Sequence, residues 1–207
     1  MIGRYLQQVS YDTQFNVVSM YASTLTLRDV RILGKASGSP MIIPVFLVLH
    51  DRKFQADHAL AFDYMVNLIP ELKTKHFLAT SDQEFTDLLE SKLEKATVGV
   101  CENHVSQTLG HWVRDNLGQS KVSAYKAEFR ASIREETREM HDVKIQERSA
   151  RWDPRFKNYW YKEIADLVEK VSLWKANEIK WGGMTDKCIC SSNQSESFNH
   201  ILRYKTE

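Results

Sequence analysis

Tyr5-Leu6-Gln7-Gln8-Val9-Ser10-Tyr11, running into Asp12, is the stretch on which the fold turns. It alternates loosely between apolar and polar side chains, as a half-covered strand does, and predicts a first strand that ends at Asp12. Working outward, Val17–Leu27 is rich in Val, Thr, Tyr and Ser and predicts a second strand. Gly34–Pro40 is a turn or loop. Met41–Leu49 predicts a third strand, apolar on both faces and therefore central or well covered. Its Pro44 has to sit at a bulge or at a position free of ladder hydrogen bonds. Three strands so close in sequence can pair as antiparallel hairpins.

The period then changes. Phe54, Ala61, Tyr64, Met65, Leu68 and Ile69 recur at helical spacing, with Pro70 as a stop. His76–Thr80 is a short strand that delivers Ser81-Asp82. Phe85, Leu88, Leu89 and Leu93 mark a helix, and Thr97–Cys101 is a fifth strand. The last two strands are separated by helices, as parallel crossovers require. Val105, Leu109, Trp112, Val113 and Leu117 then line a helix face, with Gly118 as its C-cap. Val122, Tyr125, Phe129 and Ile133 follow, and Trp160, Ile164, Leu167, Val171 and Trp174 continue at spacings of four and three. Gly182-Gly183 breaks the run before a last helix within Ser191–Tyr204. The expectation is an α/β fold. A mixed five-stranded sheet, three strands antiparallel and then parallel ones, is flanked by helices and followed by an all-α block. The boundaries fall at 1–104 for the sheet core, 105–184 for the helical insertion and 185–207 for a final helix returning to the core.

Composition narrows the class. The 207 residues are 43% hydrophobic and 27% charged, ordinary for one large globular domain or one domain with an insertion. The longest apolar run, Met41–Leu49, is nine residues with a Pro inside, so no membrane span is expected. The first residues lack the apolar stretch of a signal peptide. Three Cys fit a reducing compartment better than a disulfide framework. A net charge of +1 argues against a chain that binds a polyanion over its whole surface, but not against a local cationic groove.

Three acids stand at element ends: Asp12 after the first strand, Asp82 after the fourth, and Glu196 at the start of the last helix. If strands one and four are parallel neighbours, Asp12 and Asp82 project from one edge of the sheet, and a helix packed across it adds Glu196. Converging carboxylates repel one another unless cations neutralise them. Mg²⁺ or Mn²⁺ favours such oxygen ligands. Two such ions would activate a water or a 3′-hydroxyl and stabilise the leaving oxygen at phosphorus. Each acid also has a plain structural alternative. Asp12 can be a turn residue, Asp82 can N-cap the next helix, and Asn193-x-x-Glu196 approximates a capping box.

Four motifs occur in order: Asp12-Thr-Gln-Phe-Asn16 with Tyr21, Thr24, Pro44-Val-Phe46 and His50; Thr80-Ser81-Asp82-Gln83-Glu84; Cys101-Glu102-Asn103-His104; and Ser192-Asn193-Gln194-Ser195-Glu196-Ser197-Phe198-Asn199. Together they resemble the catalytic domain of Mutator-like element (MULE) transposases, over nearly the whole chain. The resemblance implies a ribonuclease H-like fold with a helical insertion before the last acid, and a DDE triad on Asp12, Asp82 and Glu196. It implies two Mg²⁺ or Mn²⁺ ions held by that triad, and metal-dependent cleavage and transfer of DNA strands at transposon ends. The partners implied are transposon-end and target DNA and further copies of the chain, with no membrane, in the nucleus. Cys101 and His104 are the family's C-x-x-H signature, with a structural or metal-site-supporting role. Gln83 departs from the small residue, often Gly, usual at that place. With only eleven residues before Asp12 and eleven after Glu196, and no upstream zinc-finger region, the expectation is a catalytic core alone. The alternative is a domesticated or decayed core acting as a non-catalytic DNA-associated or interaction domain.

Other residues carry weaker signals. Cys101, His104, Cys188 and Cys190 make a conceivable zinc set. The C-x-C spacing and the long separation speak against it, and a buried Cys101 with Cys188 and Cys190 on a loop is the simpler account. His50 closes the third strand as an interfacial residue with a satisfied ring nitrogen, or faces the active edge. Asn199 and Arg203 share a helix side with Glu196 and can touch a DNA phosphate; a solvated helix face explains them equally. Lys121–Arg151 interleaves eight Lys/Arg with six Asp/Glu, the pattern of a solvated amphipathic helix. Trp152, Phe156, Tyr159, Trp160 and Tyr161 among cations can stack on unpaired bases. Packing is the favoured account, because burial stabilises by about 1.5–3 kcal/mol per ring.

Overall fold

The structure is a computed structural model that describes residues 8–17, 20–35, 38, 40–52, 55–74, 77–79, 83–93 and 97–178. The fold is α/β. Three long strands, β1 (Gln8–Val17), β2 (Met20–Leu33) and β3 (Pro40–His50), form antiparallel pairs. Two three-residue strands, β4 (Phe77–Ala79) and β5 (Val98–Val100), extend the sheet on the β1 side in the order β3-β2-β1-β4-β5. β1 pairs with β4 in parallel, Val9 opposite Phe77 and Ser10 opposite Leu78, as the helix-bearing connection between them requires. The described residues fall into two compact units, 8–99 and 100–178.

In the first unit, helices α1 (Gln55–Leu68) and α2 (Gln83–Lys92) supply apolar side chains to one face of the sheet. Val9, Tyr11, Leu25 and Leu27 from β1 and β2 pack with Phe62, Met65, Val66, Leu72, Leu88 and Leu89. Each such burial stabilises by about 1.5–3 kcal/mol. The period of two puts the odd-numbered β1 residues on this face, and Ser10 and Asp12 on the other.

Three expectations about this unit need correction. Asp12 does not end β1. The strand continues to Val17, and Asp12 sits opposite Thr24 inside the β1–β2 ladder, which removes the turn-residue account. β3 is not central. Among the described residues it is the outermost strand of the sheet, paired only with β2. Its apolar side chains divide between the α1-facing side and an open side, where Leu47 and Leu49 are exposed. The buried stripe of α1 is His58, Ala61, Phe62, Met65 and Val66, whereas Tyr64 and Leu68 face outward. Several neighbouring apolar residues satisfy a helical period, and only docking selects among them. Pro44 does lie at a bulge. Leu25 pairs with Phe46 and Thr26 with Pro44, leaving Val45 as the extra residue.

The second unit is helical: α3 (Glu102–Leu117), α4 (Val122–Ser132), α5 (Arg138–Ser149), α6 (Pro154–Tyr159), α7 (Ala165–Val171) and α8 (Leu173–Glu178). Gly118 ends α3 at φ +98°, a conformation that favours glycine, and its N–H bonds the carbonyls of Val113 and Arg114. Thr137 and Asp153 cap α5 and α6, accepting from the N–H groups of Met140 and Arg155. A single π-turn, Trp160–Ile164, joins α6 to α7. Its wider hydrogen-bond ring shifts the helical phase. Val168 therefore lies in the core where straight periodicity pointed to Leu167, which is half-buried. Trp152, Phe156, Tyr159 and Trp160 are buried against one another and against Tyr125 and Trp112; Trp112 and Tyr159 stack at 4.2 Å. Packing is thus the role of four of the five aromatics in that cluster, and Tyr161 is exposed. The interleaved charges make exposed pairs such as Lys144 with Glu147 at 3.5 Å, but also a largely covered one, Arg148 with Glu135 at 3.1 Å, whose side chains are only 16% and 14% exposed.

Candidate functional site

Asp12 is held by the central strand of the sheet with only 6% of its surface exposed. Ser10, Thr24 and Thr26 lie on the same side of β1 and β2 and are fully buried. Asp12 therefore shares a buried face with three hydroxyl side chains, and oxygen atoms of this kind are the ligand type that Mg²⁺ and Mn²⁺ favour. Asp12 also stands two residues beyond the last parallel pair, Ser10 opposite Leu78. Asp82 follows Leu78 by four residues in the sequence. The parallel β1–β4 pair is present, while Asp12 lies inside β1 and not at its end.

The remaining candidates divide as follows. Asp82, Glu196, Asn199, Arg203, Cys188 and Cys190 lie outside the described residues. Cys101 is buried immediately before α3, and its backbone carbonyl accepts from Val105. His104 is half-buried in the first turn of α3. Among the described residues, no group of three or more His, Cys, Asp and Glu is placed to hold a metal ion.

The opposite face carries a polar network that sequence reading missed. The Tyr11 hydroxyl lies 3.0 Å from His58 Nδ1, in the core. Thr13 Oγ1 is 2.8 Å from Ser23 Oγ, which is 2.8 Å from His50 Nε2. His50 Nδ1 donates to the Arg52 carbonyl at 2.6 Å, since a carbonyl only accepts. In the neutral ring Nε2 is then the acceptor, Ser23 donates to it, and Thr13 donates to Ser23. His50 is accordingly an interfacial residue with both ring nitrogens bonded, and alternation puts it on the face away from Asp12. Burial pushes the Tyr11 phenol well above its ordinary range, and hydrogen bonds with Ser23 and Thr13 only partly offset this. Tyr11 is a neutral core hydroxyl at any physiological pH. Tyr11→Phe is expected to destabilise by about 1–3 kcal/mol through the lost partner of a buried imidazole; a fall in the urea midpoint at constant slope measures it. The period-two alternation of Tyr11 and Thr13 was the available signal, but Ser23, His50 and His58 join only through the register and the docking of α1.

In the second unit, both Glu102 carboxylate oxygens lie 2.9 Å from Arg134 Nη2, tying the C-x-x-H segment to the residues after α4. Glu102 thereby has a structural role inside that motif.

No family model and no curated protein matches the chain.

Proposed function

We propose that the chain is the catalytic core of a MULE-type DDE transposase with a ribonuclease H-like fold, cutting and transferring DNA strands with two Mg²⁺ or Mn²⁺ ions. Asp12, Asp82 and Glu196 would hold the ions, which supply an activated oxygen nucleophile and charge neutralisation at phosphorus. The observation that carries the proposal is Asp12 itself: a carboxylate buried among hydroxyls on the central strand, just past the parallel β1–β4 pair that leads toward Asp82. The strand order β3-β2-β1-β4-β5, with the first three strands antiparallel, supports the ribonuclease H-like reading. DNA is the partner, the nucleus the compartment, and Asn199 and Arg203 would touch phosphate.

A metal titration followed by thermal unfolding tests this on the full chain. Mn²⁺ or Mg²⁺ at about a hundred times its dissociation constant is expected to stabilise the folded state by ~2.7 kcal/mol. Asp12→Asn is expected to remove that response. No response at millimolar metal would leave the second reading, a retained transposase core with a non-catalytic DNA-associated or interaction role.

A further inference from the structure

We infer that the groove between β3 and α1 binds a short extended segment of another polypeptide, one that carries a Lys or Arg two residues before an apolar side chain. The inference rests on the first unit alone and stands apart from the transposase proposal. The groove holds about 710 Å³. One wall is β3 from Phe46 to His50, and the other is α1, through Asp57, Leu60, Ala61 and Tyr64. Those α1 residues share one helical stripe, about 10 Å long at ~1.5 Å per residue. Phe46–His50 spans about 13 Å. The groove therefore matches three or four residues of extended chain at ~3.3 Å each. Pro44 and the bulge at Val45 interrupt only the earlier part of the strand. From Phe46 to His50 the pairing with β2 runs without a register shift, and among the described residues the outer edge of this stretch pairs with no strand. An extended ligand adds there as a further strand, main chain to main chain. Leu47 and Leu49 alternate to the opposite face of the sheet, so they bring their backbone to the groove.

Charge selects the ligand. Among the described residues the lining holds two carboxylates, Asp51 and Asp57, and neither Lys nor Arg. Asp51 is met by Arg52 at 3.8 Å, whereas Asp57 makes no ion pair among the described residues. His50, at the same end, has both ring nitrogens occupied. Asp57 therefore favours a cation and repels an acidic segment. The other end of the groove is apolar. Leu60 and Tyr64 are 73% and 59% exposed there, and the Tyr64 ring lies 6.1 Å from that of Phe46. Side chains two apart on an extended chain point the same way, about 7 Å from each other. Measured along α1 from Asp57, that step falls between Leu60 at about 4.5 Å and Tyr64 at about 10.5 Å. Antiparallel to β3, the ligand enters with its N-terminal end beside His50, which sets the cation before the apolar residue. A second copy of β3 is a poor match, because Met41–Leu49 supplies no cation.

Titration of the full chain with a capped pentapeptide, threonine-arginine-threonine-leucine-threonine, tests this by amide NMR. The expected result is a set of saturable shifts centred on Phe46–His50 and the facing turns of α1, with a dissociation constant of about 1 mM or below. The same peptide with glutamate in place of arginine is expected not to saturate below about 10 mM. Asp57→Asn and Leu60→Ser change exposed positions at the two ends of the groove. With unchanged circular dichroism spectra, they are expected to weaken the arginine peptide about threefold and about fivefold. Shifts that do not saturate, or that centre elsewhere on the chain, overturn the inference. So does equal affinity for the glutamate peptide, or an affinity that neither substitution changes. A groove held by a second copy of the chain, seen as a sedimenting dimer that the peptide does not displace, overturns it as well.

Discussion

Asp12→Asn is expected to lower metal-dependent DNA strand cleavage by at least about 10²–10³-fold, the usual cost of removing one charge-stabilising group from a reacting centre. The substitution keeps the side chain's shape and one oxygen, so the β1–β2 ladder at Thr24 and the surrounding buried hydroxyls are preserved. What it removes is the negative charge that would hold a divalent ion. Nicking of supercoiled DNA carrying the element's ends, in Mn²⁺, measures the effect, with circular dichroism to establish that the fold is kept. Asp51→Asn is the control, because that carboxylate is well exposed, just past the end of β3. Equal activity in wild type and Asp12→Asn would remove Asp12 from the metal site. Equal loss in both variants would mean that overall charge and not a metal ligand was lost.

Phe156→Ala is expected to produce the largest loss of stability, about 3–5 kcal/mol, because it combines lost transfer energy with a cavity. Phe156 has no exposed surface and lies among Tyr125 at 4.0 Å, Trp152 at 5.1 Å and Trp160 at 6.0 Å between ring centroids. For a chain of this size the melting temperature should fall on the order of 10 °C. Tyr161→Ala, a neighbour with 54% of its surface exposed, should cost under about 0.5 kcal/mol. Urea unfolding of both variants checks the contrast. If Phe156→Ala were as mild as Tyr161→Ala, the rings would be a stacking platform for bases and not the core of the helical unit.

The elements with strong local signals were legible without coordinates. Gly118 closes α3 as its position after Leu117 predicts, since few other residues adopt its φ comfortably. Pro44 lies at a bulge because it has no N–H for a ladder. The parallel placement of β4 beside β1 follows from the helix between them. Asp12 stood out as an acid at the end of an expected strand, although its place inside the strand did not, because pairing beyond Tyr11 depends on β2 and not on local propensity.

What tertiary structure decided was which of several equivalent faces is covered. Met41–Leu49 reads the same whether its strand is central or outermost, and only the sheet order opens Leu47 and Leu49 to solvent. Tyr64 and Leu68 fit the helical period as well as Phe62 and Val66 do, yet docking of α1 buries only the latter pair. The π-turn at Trp160–Ile164 moves the buried position from Leu167 to Val168, a phase change that no fixed period foresees. The network of Tyr11, Thr13, Ser23, His50 and His58 spans three strands and a helix, so its members are strangers in the sequence. Local hydrogen-bonding and steric preferences are written residue by residue. Burial is a property of partners far along the chain, and it was settled only when β2 filled one edge of β3 and α1 settled on one face of the sheet.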